Sequence, residues 1–207
     1  DPARVIFTAN CTASLNMAIK GVMKRNGHAV ISGYEHNSVV RPLEKMKEAG
    51  VRYTVAVSRL FDPEAAVRAF KKALRKDTKC VVCTHVSNVF GFVLPVYEID
   101  RLCYEKGLPL ILDAAQSAGS FAIDVSEFRA LACLCAPGHK GLLGPQGTGL
   151  LLVCHDRLLD TVMEGGTGSN SMEMRQPGFY PDRLESGTLN VPGIAGLREG
   201  IRHIAKI

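Results

Sequence analysis

Four short stretches hold residues whose types and spacing suit chemistry. The first is Asp113, which ends the apolar run Leu108-Pro109-Leu110-Ile111-Leu112 and is followed by Ala114, Ala115 and Gln116. In an open parallel sheet ligands bind beyond the carboxyl ends of the strands, so an acid there, followed by small residues, can face a pocket. Ionised, it would hold a heterocyclic nitrogen protonated; the alternative is an aspartate that caps the next helix. The second is Lys140, within Gly138-His139-Lys140-Gly141 and just ahead of the glycine-rich run Gly144 to Gly149. A desolvated lysine has a lowered proton affinity and forms Schiff bases, whereas a surface-loop lysine does neither. The run matches no Walker loop, and no GxGxxG follows the first apolar run, which weakens nucleotide readings.

The third stretch is Asn10-Cys11-Thr12-Ala13-Ser14, between a predicted strand and a predicted helix. Backbone N–H groups at a helix N-terminus, with the Thr12 hydroxyl, form a phosphate cradle. A simple Thr or Ser cap is the alternative. The fourth is His36, after Tyr34-Glu35 and just past a strand end, where a ring can stack on a ligand. Together these supply a Schiff-base lysine, an acid for a ring nitrogen, a stacking ring and a phosphate cradle, all at strand ends. Pyridoxal phosphate is the cofactor that needs that combination.

The elements that must position these residues follow from the period of the apolar residues. Short β-rich runs alternate with segments of helical period, the pattern of a mostly parallel sheet covered on both faces. Strands are predicted at Val5 to Thr8, Ala29 to Ser32, Arg52 to Val57, Cys80 to His85, Leu108 to Asp113, Ala130 to Ala136 and Thr148 to Cys154. Helices are predicted over Thr12 to Arg25, Ser38 to Ala49, Asp62 to Lys76, Val96 to Lys106 and Ile194 to Ile207, with Asp62-Pro63 in the preferred N-cap then N1 order. From Glu164 to Pro192 the chain is rich in Gly, Pro, Ser and Asn, and a loop that long is more often functional than filler.

Composition narrows the class. With 207 residues, 46% hydrophobic and 22% charged, the chain reads as one large globular domain or a domain plus a stub, and disordered or fibrous readings drop out. The longest unbroken apolar stretches, such as Leu150 to Cys154, fall far short of a membrane span. The net charge of +5 is dispersed, and its densest cluster, Lys71, Lys72, Arg75 and Lys76, lies on one amphipathic stretch without interleaved aromatics, so no nucleic-acid partner is expected. Seven cysteines sit mostly inside apolar runs, which suits reduced thiols and a cytoplasmic location. Cys80 and Cys83 spell CxxC, but with no second pair or nearby histidine ligands a core strand is the better reading and no metal is expected.

The chain resembles the class V aminotransferase family, and most closely its cysteine desulfurase and selenocysteine lyase branch. The motifs that carry the resemblance are FTANCTASLN, YEHNSVVRPL, THVSNVFG, LDAAQSAG, GHKGLLGPQGTG, GGTGS and PDRLESGTLNVPG, in that order. It implies an α/β three-layer fold like the large domain of pyridoxal phosphate-dependent transferases, spanning residues 1–207 of a longer parent. A preceding segment and a C-terminal small domain would lie outside the chain, which starts at Asp1-Pro2 and stops within a helical pattern. It implies that Lys140 bonds the cofactor and shuttles the substrate α-proton, that Asp113 pairs with the pyridinium nitrogen and that His36 stacks on the ring. Gln116 would hydrogen-bond the phenolic oxygen, and Thr12, the Cys11 backbone and His139 would hold the phosphate. Asn88 would lie beside the cofactor and the substrate carboxylate, and Thr188 would complete the phosphate site of a neighbouring subunit, which implies a homodimer. The implied reaction takes L-cysteine to L-alanine and passes the sulfur to an enzyme cysteine, with a sulfur-acceptor protein as a partner. A class V aminotransferase or lyase acting on another small amino acid shares every residue named, and an inactive cofactor-binding scaffold is the non-enzymatic alternative. Two departures stand out: Pro137 replaces a hydroxyl residue common two places before the GHK histidine, and none of the seven cysteines matches the nucleophile's position.

Overall fold

The computed structural model describes residues 1–23, 25–154 and 159–207. Its seven strands are β1 (Val5–Thr8), β2 (His28–Ser32), β3 (Arg52–Ala56), β4 (Thr78–Thr84), β5 (Leu110–Asp113), β6 (Leu131–Pro137) and β7 (Gly149–Val153). They form one sheet in the order β1-β7-β6-β5-β4-β2-β3. Pairings from β3 through β6 are parallel, and β7 is antiparallel to both β6 and β1. Every strand but β7 therefore points the same way, and the carboxyl ends of β1, β2, β4, β5 and β6 share one edge of the sheet.

Helices α1 (Cys11–Val22), α2 (Asn37–Met46), α3 (Pro63–Ala73) and α4 (Val96–Glu105) follow β1, β2, β3 and β4, and α5 (Val191–Ile204) closes the chain. Leu15, Ile19, Val39 and Leu43 of α1 and α2 pack on one face of the sheet against Ile31, Val82 and Ile111. Phe70, Ile99 and Leu102 of α3 and α4 pack on the other face against Val30, Val81 and Leu112. Successive strand residues thus enter opposite cores, which is why the central strands read as unbroken apolar runs. The result is the expected α/β three-layer sandwich with a mostly parallel sheet. Cys80 and Cys83 fall into opposite cores, so one ion could not take both as ligands.

Several boundaries differ from the sequence reading for local reasons. α1 stops at Val22 rather than Arg25, because Met23 turns to extended backbone and buries its side chain in the core; Lys24, inside the predicted helix, lies outside the described residues. β2 starts at His28, one residue earlier than predicted. Its buried ring bonds the Thr78 hydroxyl through Nδ1 and the Thr54 hydroxyl through Nε2, both at 2.9 Å, so it behaves as a core residue spanning three strands. α5 begins at Val191, three residues early, because the Asn190 side chain accepts from Gly193 N–H at 3.1 Å and caps it.

The glycine-rich segment before α5 is held by side chains rather than by regular structure. Gln176 donates to the Ser186 hydroxyl at 3.0 Å, Arg183 Nε to the Leu159 carbonyl at 2.7 Å, and the Glu185 carboxylate accepts from Phe7 N–H at 2.6 Å.

Candidate active site

The shared carboxyl edge of the sheet carries a cavity of about 210 Å³. β5 delivers Asp113 and, just beyond it, Gln116; the turn after β6 delivers His139 and Lys140. The loop after β2 supplies His36, the loop after β4 supplies Asn88, and the first turn of α1 supplies Cys11 and Thr12. Residues from five separated stretches thus converge because parallel strands end side by side.

Asp113 is 2% exposed. Its Oδ1 accepts from Ala115 N–H at 2.9 Å and meets the Cys11 thiol at 3.7 Å. Burial raises the carboxyl above its ordinary value, while the Ala115 N–H, the Lys140 charge, the Cys11 thiol and the His36 ring pull it down. Burial first, and then the Asp113 charge, push the Cys11 thiol well above its ordinary value. Cys11 is therefore a neutral donor to Asp113 in the wall of the cavity. The corresponding sequence alternative, in which Asp113 merely caps a helix, does not hold, since no helix follows β5 directly.

α1 is capped by Asn10, whose Oδ1 accepts from Ala13 N–H at 2.9 Å. Thr12 is thereby left in the first turn with its hydroxyl free of the capping role, and the first-turn N–H groups of Cys11 and Thr12 have no acceptor inside the helix. Close packing holds this turn in place: a Cβ on Gly149 would stand 2.6 Å from the Asn10 carbonyl carbon and 2.7 Å from the Thr8 hydroxyl. His36 caps α2, its Nδ1 accepting from Ser38 N–H at 3.1 Å with the Ser38 hydroxyl at 2.5 Å. A neutral ring in that arrangement carries its proton on Nε2.

Lys140 departs from one expectation. It is an exposed residue rather than one desolvated between strands, because the turn from Gly138 to Gly144 stands outside the sheet, beyond the end of β6. Thr188 is not brought to this cavity; it lines a second one of about 270 Å³ with Phe7, Ala13, Met17 and Asn190, beside the same first stretch of α1. Sequence reasoning missed Ser38 and Thr84, which also line the first cavity, and Glu35, whose carboxyl lies behind it. A glutamate directly before the candidate histidine was the available signal for Glu35.

The class V aminotransferase family model matches residues 1–207. The chain belongs to the class V aminotransferase family. Class V enzymes depend on pyridoxal phosphate. A probable cysteine desulfurase of Methanothermobacter thermautotrophicus is 33% identical to this class V chain, over 98% of the chain and 52% of the relative. The apo cysteine desulfurase of Thermococcus onnurineus superposes with a TM-score of 0.88 at 29% identity, covering all of this chain and 53% of that one. SspA, solved in complex with cysteine, superposes at 0.82 with 26% identity over 98% of this chain and 56% of its own. The chain spans about half the length of the curated class V relatives it matches.

The cavity suits the class V cofactor on its own chemistry. It pairs a buried carboxyl, with Ala115 N–H and the Lys140 charge opposing the effect of burial, with a helix N-terminus that has spare N–H donors, and it places a primary amine and an imidazole at the same opening.

Proposed function

We propose that the chain is the cofactor-binding half of a pyridoxal phosphate-dependent cysteine desulfurase, which takes L-cysteine to L-alanine and leaves the sulfur as a persulfide on an enzyme cysteine. The observation that carries this reading is the convergence of Lys140, Asp113, His36, Gln116, Asn88 and Thr12 on one cavity, in a chain about one third identical to proteins named cysteine desulfurase. The relative solved with cysteine supports the choice of substrate.

Bound in the cavity, pyridoxal phosphate supplies an electron sink for bond breaking at the substrate α-carbon. Lys140 would hold it covalently and, once the substrate amine displaced it, its freed amine would carry the α-proton. Asp113, whose carboxyl is raised by burial and drawn back down by Ala115 N–H, the Lys140 charge and the Cys11 thiol, would pair with the ring nitrogen and keep it protonated. His36, fixed in orientation by Ser38, would stack on the ring. Gln116 would hydrogen-bond the phenolic oxygen, and Asn88 would lie beside the cofactor and the substrate carboxylate. Thr12, the Cys11 backbone and His139 hold the phosphate; Pro137, which has neither hydroxyl nor N–H, adds nothing to it. Thr188 would serve the phosphate site of a second copy, so the working form is a homodimer, cytoplasmic, that passes sulfur to an acceptor protein. The nucleophilic cysteine is none of the seven here.

The test is the parent enzyme supplied with L-cysteine and a thiol reductant. Alanine and sulfide appear in equal amounts, and Lys140→Ala lowers turnover by about a thousandfold or more. Transfer of an amino group from another small amino acid, with no alanine from cysteine, would instead select the aminotransferase reading.

A further inference from the structure

Beside Asp113, and given no role above, lies the carboxyl of Glu35. Its Oε1 accepts from the Ser32 hydroxyl at the end of β2, at 2.5 Å, and from Thr84 N–H at the end of β4, at 2.7 Å. Its Oε2 is out of solvent and has no hydrogen-bond partner. No ion pair reaches Glu35 among the described residues. Asp113 is close by, since Thr84 and Asp113 are register partners across β4 and β5. The groups facing Glu35 are therefore Ser32 from β2, Cys83 and Thr84 from β4, and Asp113 from β5, with no cation among them.

Two carboxyls so close in a dry interior cannot both ionise cheaply, and the charge settles on the one with the better donors. Asp113 has Ala115 N–H, the Cys11 thiol and the Lys140 charge; Glu35 has one hydroxyl and one N–H, both on Oε1, and no donor on Oε2 to stabilise a charge there. We propose that Glu35 is a positioning residue: held protonated, it leaves the single negative charge of the pair on Asp113, and it ties the loop that carries His36 to the end of β4. Burial pushes the Glu35 carboxyl up to about 8, the Ser32 hydrogen bond opposing this and the Asp113 charge adding to it.

The protonation half of the proposal needs no cofactor; the link to Asp113 and His36 rests on the proposed function. On the cofactor-free protein at neutral pH, the infrared difference spectrum between wild type and Glu35→Gln shows the carbonyl stretch of a protonated carboxylic acid, lost in the variant and kept in Asp113→Asn. Absence of that band from the wild type, in a folded Glu35→Gln sample, would overturn the proposal. With pyridoxal phosphate followed by absorbance, Glu35→Ala weakens binding about tenfold, and the neutral isostere Glu35→Gln restores it to within about threefold. A Glu35→Gln protein that binds as poorly as Glu35→Ala would show that Glu35 is needed as an anion, and would also overturn it. A wild type that shows the infrared band but takes up no cofactor refutes the proposed function and leaves Glu35 protonated.

Discussion

At the residue scale the account turns on how Asp113 keeps its charge. Burial raises its carboxyl, and the opposing groups come from four places in the sequence: Ala115, Lys140, Cys11 and His36. Removing the charge while keeping the shape, as in Asp113→Asn, weakens pyridoxal phosphate binding about ten- to a hundredfold, the range of one hydrogen bond to a charged group. An absorbance titration reads this directly, and unchanged affinity would exclude Asp113 as the partner of the ring nitrogen. The cysteines make a second prediction. Six are buried and Cys154 is exposed, although partial burial still pushes its thiol up to about 11. Under native conditions alkylation therefore marks Cys154 first, and the other six react only on unfolding; rapid labelling of Cys11 would contradict its place as a neutral donor to Asp113. Asp113 and Lys140 were legible in the sequence because each breaks a pattern, an acid ending an apolar strand and a lysine in a glycine turn. Glu35 and Thr84 were not, since their surroundings exist only once β2, β4 and β5 lie side by side.

At the scale of elements, strand ends do the positioning, and what fixes a strand end is often a side chain from elsewhere. His28 joins β2 to both of its neighbours through Thr54 and Thr78. Burial lowers its proton affinity, with the Arg75 charge adding to the effect. The unfolded chain thus takes up this proton before the folded one does, so the contribution to stability is present above the ordinary value of 6.5 and is lost as pH falls below it. Thermal midpoints between neutral pH and about pH 5 should fall for the wild type and flatten in His28→Gln. A variant with the wild-type slope would assign the pH dependence elsewhere. Gly149 ties β7 to the start of α1, and Gly149→Ala forces those two elements apart. The substitution costs about 1–3 kcal/mol of stability, as overpacking does, and loosens cofactor binding through Thr12. A folded Gly149→Ala protein with full stability and affinity would show that the contact is not restrictive. Strand and helix types were readable from period alone, and Asp62 does cap α3, its Oδ1 accepting from Ala65 N–H at 2.8 Å. The ends of α1 and β2 were not, because a buried methionine and a doubly satisfied histidine set them.

At the scale of the molecule, the fold matches solved cysteine desulfurases over the whole chain, while the chain spans only about half of each. No described helix is long and apolar enough to cross a membrane. Thr188 in a cavity apart from Lys140, yet against the same stretch of α1, fits the proposal that it serves a second copy. Mixing Lys140→Ala and Thr188→Ala parents then yields hybrid dimers with one intact site, recovering activity that neither variant has alone; no recovery would make Thr188 a residue of its own subunit. The motif resemblance already set Thr188 apart from the other candidate residues, but the cavity it lines was not legible in the sequence, since that depends on how the segment from Glu164 to Asn190 lies beside β1. The central claim is that Lys140 is the residue to which pyridoxal phosphate bonds. Borohydride reduction of the protein with bound cofactor, followed by peptide mass spectrometry, tests it most directly: the account predicts one reduced adduct, on Lys140 and absent from a folded Lys140→Ala protein, and an adduct on another lysine, or none, would contradict it.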